Sequence, residues 1–333
     1  MQDLANELNT TTATISRALN NSPEIGEAMK KKVRDLAQKY NFRPNAHASS
    51  LRRGKAKTIG IIVPFINRHF FSNIIHQIEK QVSNQGYNVM ILQTEDSFKK
   101  EKEDLALLID QRVSGIIISL SKPTTHCRHL KKAIAEGIKV VQIDNVLKDT
   151  ETSYIKTKDR EGARITTKHL LEQGYRHIAL LNGEMTSKIY QDRKQGFIDA
   201  HKEAGLPYNE DLFINNTNNR QEGRAAMEKL LASGLPIDAV FSSGDYAALG
   251  AYLVCKERGI AIPEQIGIAG FANEHFAELV TPSITSSDQH SEKIGALAAQ
   301  QILEEINNHE APLLKTSLLP ELIVRESTLK KGV

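Results

Sequence analysis

Near its start the chain reads Asp3-Leu-Ala-Asn-Glu-Leu8, Asn9-Thr-Thr11 and Thr12-Ala-Thr-Ile-Ser-Arg-Ala-Leu19, and this stretch says most about how the chain folds. In the first and last of these segments, apolar residues recur at the spacing of one face of an α-helix. The residues on these faces are Leu4, Ala5 and Leu8 in one segment and Ile15, Ala18 and Leu19 in the other. Each apolar face can cover the other, so the pattern predicts two packed helices joined by a tight turn.

The opposite face of the second helix carries groups suited to reading DNA. By spacing, this face presents Thr12, Ala13, Ser16, Arg17 and Asn20. Small residues permit close approach to a groove, hydroxyls and amides reach phosphates or base edges, and an arginine can fork onto guanine. We therefore interpret the two segments as a helix-turn-helix that binds double-stranded DNA. The alternative, on local spacing alone, is two helices of an ordinary helical subdomain.

The charge distribution favours the DNA-binding interpretation. Residues 1–57 hold 11 Lys and Arg against 5 Asp and Glu, whereas residues 58–333 hold 32 against 35. The net charge of +3 for the whole chain therefore combines a basic N-terminal region with a slightly acidic remainder. This asymmetry is expected when one end of a protein faces phosphates.

A third helix and a hinge segment follow the first two helices. The pattern predicts a helix over residues 27–40, which completes a three-helix head. Its apolar face consists of Val33, Leu36, Ala37 and Tyr40. Phe42-Arg-Pro-Asn45 then breaks the helical pattern, and Asn45 can cap a short segment over residues 46–53. In that segment Leu51 is followed by two arginines, as a wedge in the minor groove requires, although packing of Leu51 on a neighbouring domain explains the spacing equally well.

The composition is that of a globular protein. Of 333 residues, 40% are hydrophobic and 25% are charged, and no apolar run approaches the ~18 residues of a membrane span. Because no secretory leader opens the chain either, we expect a cytoplasmic protein without a membrane partner. Cys127 and Cys255 are far apart and have no partners at ligand spacing, so we expect no disulfide, metal site or cofactor.

Beyond residue 58, short β-branched runs alternate with longer amphipathic segments. Strands are predicted over residues 58–63, 88–93, 115–119, 139–143, 177–181, 238–242 and 266–270. Helices are predicted between them, for example over residues 71–85, 99–111, 161–173 and 221–232. This alternation predicts an α/β body with doubly wound parallel sheets and ligands at the carboxyl ends of the strands. The body is too long for one ordinary sheet, so we predict two lobes.

Signatures of catalysis are weak in this body. The first strand ends without a glycine-rich phosphate turn, there is no P-loop motif, and Phe241-Ser-Ser-Gly-Asp245 only loosely resembles a nucleophile elbow. The histidines show no metal-ligand spacing. We therefore expect that the protein is not an enzyme. The strand ends instead carry polar and aromatic groups suited to a small polyhydroxyl or anionic ligand, among them Asn67, Phe71, Asp144, Asn145, Arg193 and Asn273.

Over essentially its whole length the chain resembles the lactose and galactose repressor (LacI/GalR) family of bacterial transcription regulators. In the N-terminal region the matching motifs are Ala13-Thr-Ile-Ser-Arg-Ala-Leu-Asn20, Phe42-Arg-Pro-Asn45 and Ala48-Ser-Ser-Leu51. In the body they are Thr58-Ile-Gly-Ile-Ile-Val-Pro64, Arg193-Lys-Gln-Gly-Phe197, Asp245-Tyr-Ala-Ala-Leu-Gly250, Pro282-Ser-Ile-Thr285 and Leu322-Ile-Val-Arg-Glu-Ser327. The resemblance implies a ligand-responsive, sequence-specific DNA-binding regulator, most simply a repressor of carbohydrate-related genes.

For the head, the resemblance implies that Thr11 caps the recognition helix and that Thr12, Ala13 and Arg17 select bases. Leu51 from two subunits would open the central step of a palindromic operator. The DNA-binding residues expected in all are Thr11, Thr12, Ala13, Thr14, Ser16, Arg17, Asn20, Asn45, Ala48 and Leu51.

For the rest of the chain, the resemblance implies a periplasmic-binding-protein-like body of two doubly wound lobes. The head would span residues 1–44 and the hinge helix and linker residues 45–57. The effector-binding domain would span residues 58–333, with one lobe near 58–157 and 288–319 and the other near 158–287 and 320–333. Three crossovers would join the lobes, near residues 156–160, 286–290 and 318–322.

The effector, a sugar or sugar derivative, would lie in the cleft between the lobes. The resemblance implies that Arg193 forks onto ligand oxygens and that Phe71 lies against the face of the ligand. The ligand-binding residues expected in all are Asn67, Phe71, Asp144, Asn145, Arg193, Asn218, Asp245 and Asn273. For Arg193 a lobe–lobe salt bridge is the alternative, and for Asp245 a structural role as a helix cap is the stronger interpretation.

Two departures from the family pattern stand out. The family commonly has an Asp that binds effector hydroxyls where this chain has Ala272 within Gly270-Phe-Ala-Asn273, so a particular sugar is not inherited. The first helix also begins some five residues earlier than in the family, which leaves a head without its usual leading stretch.

The chain lacks a trailing heptad segment, so we expect a homodimer and not a tetramer. The rival interpretation is a sugar-binding sensor or transport module whose basic head is incidental, and an enzyme is the third.

Overall fold

The structure is a computed structural model that describes residues 1–19, 21–40, 42 and 56–330. It divides into two compact units, Met1–Ala56 and Lys57–Val333, which are described separately below. The predicted DNA-binding residues Asn20, Asn45, Ala48 and Leu51 lie outside the described residues.

The N-terminal unit contains three helices, as the sequence predicts: α1 (Gln2–Glu7), α2 (Thr12–Leu19) and α3 (Glu27–Lys39). Their apolar faces meet in one core of buried side chains, Leu4, Ala5, Ile15, Ala18, Val33 and Ala37. Tyr40 departs from the predicted pattern. It follows the end of α3, is 54% exposed and lies under the ammonium group of Lys39, 5.2 Å from the ring centre.

The C-terminal unit is an α/β body with two six-stranded sheets, so the predicted fold class is confirmed. The strands of the first sheet are β1 (Ala56–Val63), β2 (Asn88–Gln93), β3 (Val113–Ile118), β4 (Lys139–Ile143), β5 (Ser153–Thr157) and, near the end of the chain, β11 (Lys315–Leu318). The strands of the second sheet are β6 (Ile178–Leu181), β7 (Phe213–Ile214), β8 (Ala239–Ser242), β9 (Gly267–Phe271), β10 (Thr285–Asp288) and β12 (Glu321–Ile323).

Helices cover both sheets. Those on the first sheet are α4 (His69–Ser83), α5 (Phe98–Asp110), α6 (Leu130–Ala135) and α12 (Ser291–Asn307). Those on the second sheet are α7 (Asp159–Glu172), α8 (Lys188–Glu203), α9 (Arg220–Ala232), α10 (Asp245–Glu257) and α11 (Phe276–Leu279).

Strand order identifies each sheet as the centre of one lobe. The orders are β11-β5-β4-β3-β1-β2 and β12-β10-β9-β8-β6-β7. The neighbours β1 and β2, β3 and β4, and β8 and β9 run parallel, while β12 pairs antiparallel with β10. In each lobe two apolar clusters, one on each face of the sheet, bury the central strands, as expected for parallel sheets covered by helices.

The chain passes between the two lobes three times. It leaves the first sheet after β5 and enters α7, returns from β10 into α12, and passes from β11 to β12 through residues 319–320. Because strands of both lobes end at these passages, the carboxyl ends of the two sheets face a shared cleft. Ligands of open α/β sheets bind at such strand ends.

Candidate functional sites

The first candidate site is the exposed face of α2. Thr11, Thr12, Ala13 and Arg17 are exposed, and Thr14 is half-buried. The Thr14 amide donates a hydrogen bond of 3.2 Å to Thr11 Oγ1, which is the bond of an N-cap residue. The predicted cap is therefore in place, and it fixes the N-terminal turn whose side chains the sequence assigns to DNA.

Two residues that the sequence places on the open face of α2 differ from that prediction. Ser16 is only 7% exposed, so the structure contradicts its placement on the open face; like Ile15 and Ala18, it is one of the buried residues of α2. Arg17 is exposed but paired, since its Nε lies 3.4 Å from a carboxylate oxygen of Glu24. An exposed pair of this kind is weak and opens at little cost, so Arg17 remains available to a guanine or a phosphate.

The second candidate site is a cavity of about 120 Å³ in the cleft between the two lobes. This is room for several waters or one small molecule. Five of the predicted ligand-binding residues line it: Phe71, Asp144, Asn145, Arg193 and Asn218. Side chains that the sequence did not single out also line it, among them Phe65, Arg68, Asp96, Lys122, Tyr190 and Glu274.

Arg193 is held rigidly at the wall of the cavity. Its side chain is 5% exposed, and its Nε and Nη2 donate to Asp159 Oδ1 at 2.9 and 2.7 Å. Its Nη1 donates to the Ser243 carbonyl, and the guanidinium lies 3.7 Å from the centre of the Phe271 ring. All three nitrogens therefore have protein partners. Arg193 forms a buried ion pair. It can donate to a ligand only through those N–H groups of Nη1 and Nη2 that do not bond to Ser243 or Asp159.

Asp144 and Asn145 follow β4 and reach the cavity from the first lobe. Burial raises the pKa of Asp144 to about 6, with the nearby charge of Asp159 adding to the shift and Arg193 opposing it. Ser119 Oγ donates to Asp144 Oδ2 at 3.3 Å. The side-chain amide of Asn145 donates to the Leu120 carbonyl at 2.9 Å, and the residue lines the cavity.

Lys122 brings a second cation into the cavity from the first lobe. Its Nζ lies 2.9 Å from Asp96 Oδ2 and 3.5 Å from Asn218 Oδ1 of the other lobe. Burial alone would lower the pKa of Lys122, but its interactions with Tyr190 and Asp96 outweigh burial and raise it. Lys122 is therefore charged at neutral pH and spans the cleft.

Arg68 also bridges the two lobes. Its Nη2 donates to the Asn218 carbonyl at 3.3 Å, and its guanidinium lies 3.9 Å from the centre of the Tyr246 ring. Stacking of a guanidinium on an aromatic ring is favourable when water is excluded. Polar and cation–π contacts thus join the lobes at the rim of the cavity.

Three of the predicted ligand-binding residues do not line the cavity. Asn67 is exposed, and its carbonyl accepts a bond of 3.4 Å from the Tyr246 hydroxyl. Asn273 is bound to Asp288 and Arg325, each at a distance of 2.8 to 2.9 Å. The sequence placed Asn273 at a strand end, and this position alone suggested a ligand contact. Because Asp288 and Arg325 are remote in sequence, their bonds to Asn273 were not predictable.

Asp245 has a structural role, but it is not the helix cap that the sequence favoured. It begins α10 and is 1% exposed, and its carboxylate accepts bonds from Ser286 Oγ and from the Glu274 amide at 2.7 Å. It therefore joins the loop after β9 to strand β10 in the second lobe and does not cap its own helix. Burial raises the pKa of Asp245 to about 6.

Four of the cavity residues that the sequence did not single out lie shortly after the end of a strand, where ligands of parallel sheets bind. Arg68 lies a few residues beyond β1, Asp96 beyond β2, Lys122 beyond β3 and Glu274 beyond β9. Each position was visible once the strand was predicted. What the sequence does not reveal is which of these side chains turn inward.

The described residues contain no group of three His, Cys, Asp or Glu side chains arranged to hold a metal ion. Within the same part of the chain, no helix combines the length and the apolar character that crossing a membrane requires. Cys127 and Cys255 are buried free thiols.

Comparison with protein families gives two matches. Residues 1–45 match the model of "Bacterial regulatory proteins, lacI family", and residues 56–320 match that of "Periplasmic binding proteins and sugar binding domain of LacI family". Among curated proteins, the HTH-type transcriptional repressor PurR of Pasteurella multocida is 31% identical, with 98% of each chain covered. PurR of Vibrio cholerae is 29% identical over 98% of this chain and 97% of its own.

Solved structures of similar fold include ligand complexes. A LacI family transcriptional regulator from Enterococcus faecium with bound ribose aligns with a TM-score of 0.74 at 27% identity, covering 81% of this chain and 98% of its own. A periplasmic binding protein/LacI transcriptional regulator from Alkaliphilus metalliredigens complexed with D-xylulofuranose aligns with a TM-score of 0.72 at 28% identity, covering 82% and 100%. A LacI family protein from Silicibacter pomeroyi, 23% identical, shares the fold over 99% of both chains with a TM-score of 0.84.

Proposed function

This chain belongs to the LacI family of bacterial regulatory proteins, whose members bind DNA in response to ligands. We propose that it represses transcription from a palindromic operator. A small molecule in its interlobe cleft controls this repression. The observation that carries the proposal is a capped helix, α2, that presents Thr12, Ala13 and Arg17 to solvent in a three-helix head. A recognition helix presents its N-terminal residues to base edges in this way.

The cleft supports control by a ligand. Its wall offers acceptors, such as Asp144 and Asn145, and aromatic faces, such as Phe71, beside the cations described above. This mixture suits a small molecule with several hydroxyl groups. The ribose and D-xylulofuranose bound by two structural neighbours support a sugar or sugar derivative as the effector.

The passages between the lobes supply the mechanism. A ligand that binds one arrangement of the lobes better than another shifts the population toward that arrangement. If ordered hinge segments, and hence tight DNA binding, require one arrangement, the effector changes operator affinity by the same factor by which DNA changes effector affinity. The repressor acts as a homodimer, because a palindromic site presents two equivalent half-sites.

DNA recognition is tested by selection from a random duplex library with the full chain. We expect enrichment of one palindromic sequence. Arg17→Ala should then weaken binding by about 1–3 kcal/mol and relax base preference at one position of each half-site. The matched control is Arg34→Ala, an exposed cation on α3 that pairs weakly with Glu27. The control should weaken all sequences alike; equal losses on all duplexes for Arg17→Ala would contradict its role.

The effector is sought by thermal shift of the purified chain against sugars, sugar phosphates and purines. A ligand present at 100 times its dissociation constant stabilises the folded chain by about 2.7 kcal/mol. The ligand found should lose its effect in Phe71→Ala, because Phe71 lines the cavity. A ligand whose effect survives that substitution binds elsewhere.

A further inference from the structure

Glu274 of the second lobe forms hydrogen bonds to the first lobe inside the cavity. It lies in the loop after β9 in the second lobe, is 4% exposed and lines the cavity. Its Oε2 accepts a bond of 2.9 Å from the His69 amide, and its Oε1 accepts one of 3.4 Å from the Phe70 amide. His69 and Phe70 are the first two residues of α4, in the first lobe. A carboxylate of one lobe therefore covers a helix N-terminus of the other.

The N-terminus of a helix attracts anions. The first amides of a helix have no partner within it, and the aligned peptide dipoles give this end a partial positive charge. Phosphates and carboxylates of ligands bind at such ends. In this cleft the protein itself supplies the anion, so a negatively charged ligand group would have to displace Glu274 or lie beside it.

The loop that carries Glu274 is built to hold it there. Ala272 and Asn273, which precede it, both have positive φ angles, of 123° and 50°. Such angles are costly for residues other than glycine and persist where the surroundings enforce them. The Glu274 amide donates to Asp245 Oδ2 at 2.7 Å, and Asp245 is fixed by Ser286. Glu274 is thus directed toward α4 by its own lobe.

Among the described residues, three cations line the cavity, and they are offset by carboxyl groups that include Asp144: Arg68 lies over the Tyr246 ring, and the other two have carboxylate partners. Lys122 pairs with Asp96 at 2.9 Å, and Arg193 pairs with Asp159 at 2.7 Å. Each of these cations already has a carboxylate of the protein as its counter-ion. Burial of a further negative group without a new partner is unfavourable.

From these contacts we propose that Glu274 determines effector specificity: it occupies the anion-binding N-terminus of α4 and thereby restricts the cleft to ligands that carry no phosphate or carboxylate at that end. The proposal rests on the proposed function in one respect, namely that the cleft binds the effector. It narrows the effector class to polyhydroxyl compounds whose group at the α4 end of the cleft is uncharged.

Inorganic phosphate is the probe that tests this proposal, by isothermal titration of the full chain. Wild type should bind phosphate weakly. Glu274→Ala exposes the two α4 amides and removes a negative charge, so its phosphate affinity should rise by about tenfold or more. Glu274→Gln keeps a carbonyl acceptor for the amides but removes the charge, and its affinity should lie between the two. It also keeps the side-chain shape, so it remains informative if the alanine variant is unstable.

Glu278→Gln is the matched control. Glu278 lies on α11, four residues further along, and its side chain is 54% exposed. Its substitution removes the same charge without opening the cleft, and phosphate binding should stay at the wild-type level. The proposal is overturned if neither Glu274 variant gains phosphate affinity, if wild type already binds phosphate as tightly as the variants do, or if Glu278→Gln gains as much.

This experiment is independent of DNA. Failure of the duplex selection would remove the proposed repressor function while leaving the phosphate result intact. A failed phosphate titration combined with a successful selection would remove only the role of Glu274.

Discussion

Arg17 carries most of the proposed base recognition, and Glu24 is its partner in the free protein. The pair is exposed, with side-chain accessibilities of 59% and 66%, so it contributes little to stability. On DNA, Glu24 would compete with guanine for the guanidinium and would repel nearby phosphates.

We therefore predict that Glu24→Gln tightens operator binding by about two- to fivefold, within the range that a weak exposed pair allows. Fluorescence anisotropy with the selected duplex measures the effect. Glu257→Gln, an exposed acid paired with Arg224 in the other unit, serves as the control for lost negative charge. Weaker binding by Glu24→Gln would mean that the pair positions Arg17 for DNA.

Asp144 gives the cleft a pH dependence whose sign follows from burial. Its pKa is raised from an ordinary value of 3.8 to about 6, so the folded chain holds this proton more tightly than the unfolded chain. The resulting stability is complete below pH 3.8 and is lost as the pH rises through 6.

At pH 7.5 Asp144→Asn should therefore unfold at a higher temperature than wild type, since it removes a charge that is costly to bury. The difference should shrink as the pH falls toward 5. Thermal melts at both values check this. A variant that is less stable at pH 7.5 would show that the attraction of Arg193 and Lys122 outweighs burial.

The Arg193–Asp159 pair is buried, so each partner depends on the other. Either Arg193→Ala or Asp159→Ala alone should cost about 3–5 kcal/mol, because it leaves a buried charge without its counter-ion. The double variant should cost less than the sum of the two. Urea unfolding of all four chains gives the coupling energy, and strict additivity would contradict the account.

At this scale the sequence predicted exposure and strand-end position better than contacts. The open face of α2 follows from helical spacing, and the Thr11 cap and the cavity positions of Asp144, Asn145 and Arg193 follow from the family resemblance. Ser16 is buried and not on the open face, and Asn273 is held away from the cavity by Asp288 and Arg325, which are distant in sequence. Only the folded chain reveals such partners.

At the scale of secondary structure, the sequence predicted the longer apolar strands and missed short or polar ones such as β7 and β10. The strands β1, β3 and β8 are buried apolar runs and were recognised. The sequence of β10, Thr-Ser-Ser-Asp, is polar although it is almost entirely buried. Its hydroxyls bond to neighbours, as Ser286 does to Asp245, so hydrophobic patterning does not reveal it.

Two glycines allow α9 and α10 to pack closely. A Cβ on Gly223 would lie 2.2 Å from the Ala247 carbonyl oxygen, and one on Gly250 would lie 2.3 Å from that of Arg220. Backbone atoms cannot yield at such distances.

Gly223→Ala should therefore destabilise the protein by about 1–3 kcal/mol through overpacking, despite the better helix propensity of alanine. Chemical unfolding of the full chain measures it. Gly244→Ala is the control, since no atom lies within 4 Å of its Cβ position and its φ is extended. A neutral Gly223→Ala would mean that the two helices can separate freely.

At the scale of the whole molecule, one chain carries a helix-turn-helix head and a two-lobed body. Strand–helix alternation and length predicted the two lobes, and the resemblance to the LacI/GalR family implied where the chain passes between them. Neither could predict that Arg68, Lys122 and Glu274 contact the opposite lobe. Those contacts link the state of the cleft to the arrangement of the lobes.

The decisive measurement is the operator affinity of the full chain with and without the ligand identified in the thermal-shift screen. Coupling of 1–3 kcal/mol corresponds to a change of about 5–150-fold in the dissociation constant. We expect a change in this range for wild type and none for Phe71→Ala, which lacks the aromatic wall of the cavity. A ligand that saturates the cleft while leaving operator affinity unchanged would contradict the claim that this cleft controls DNA binding.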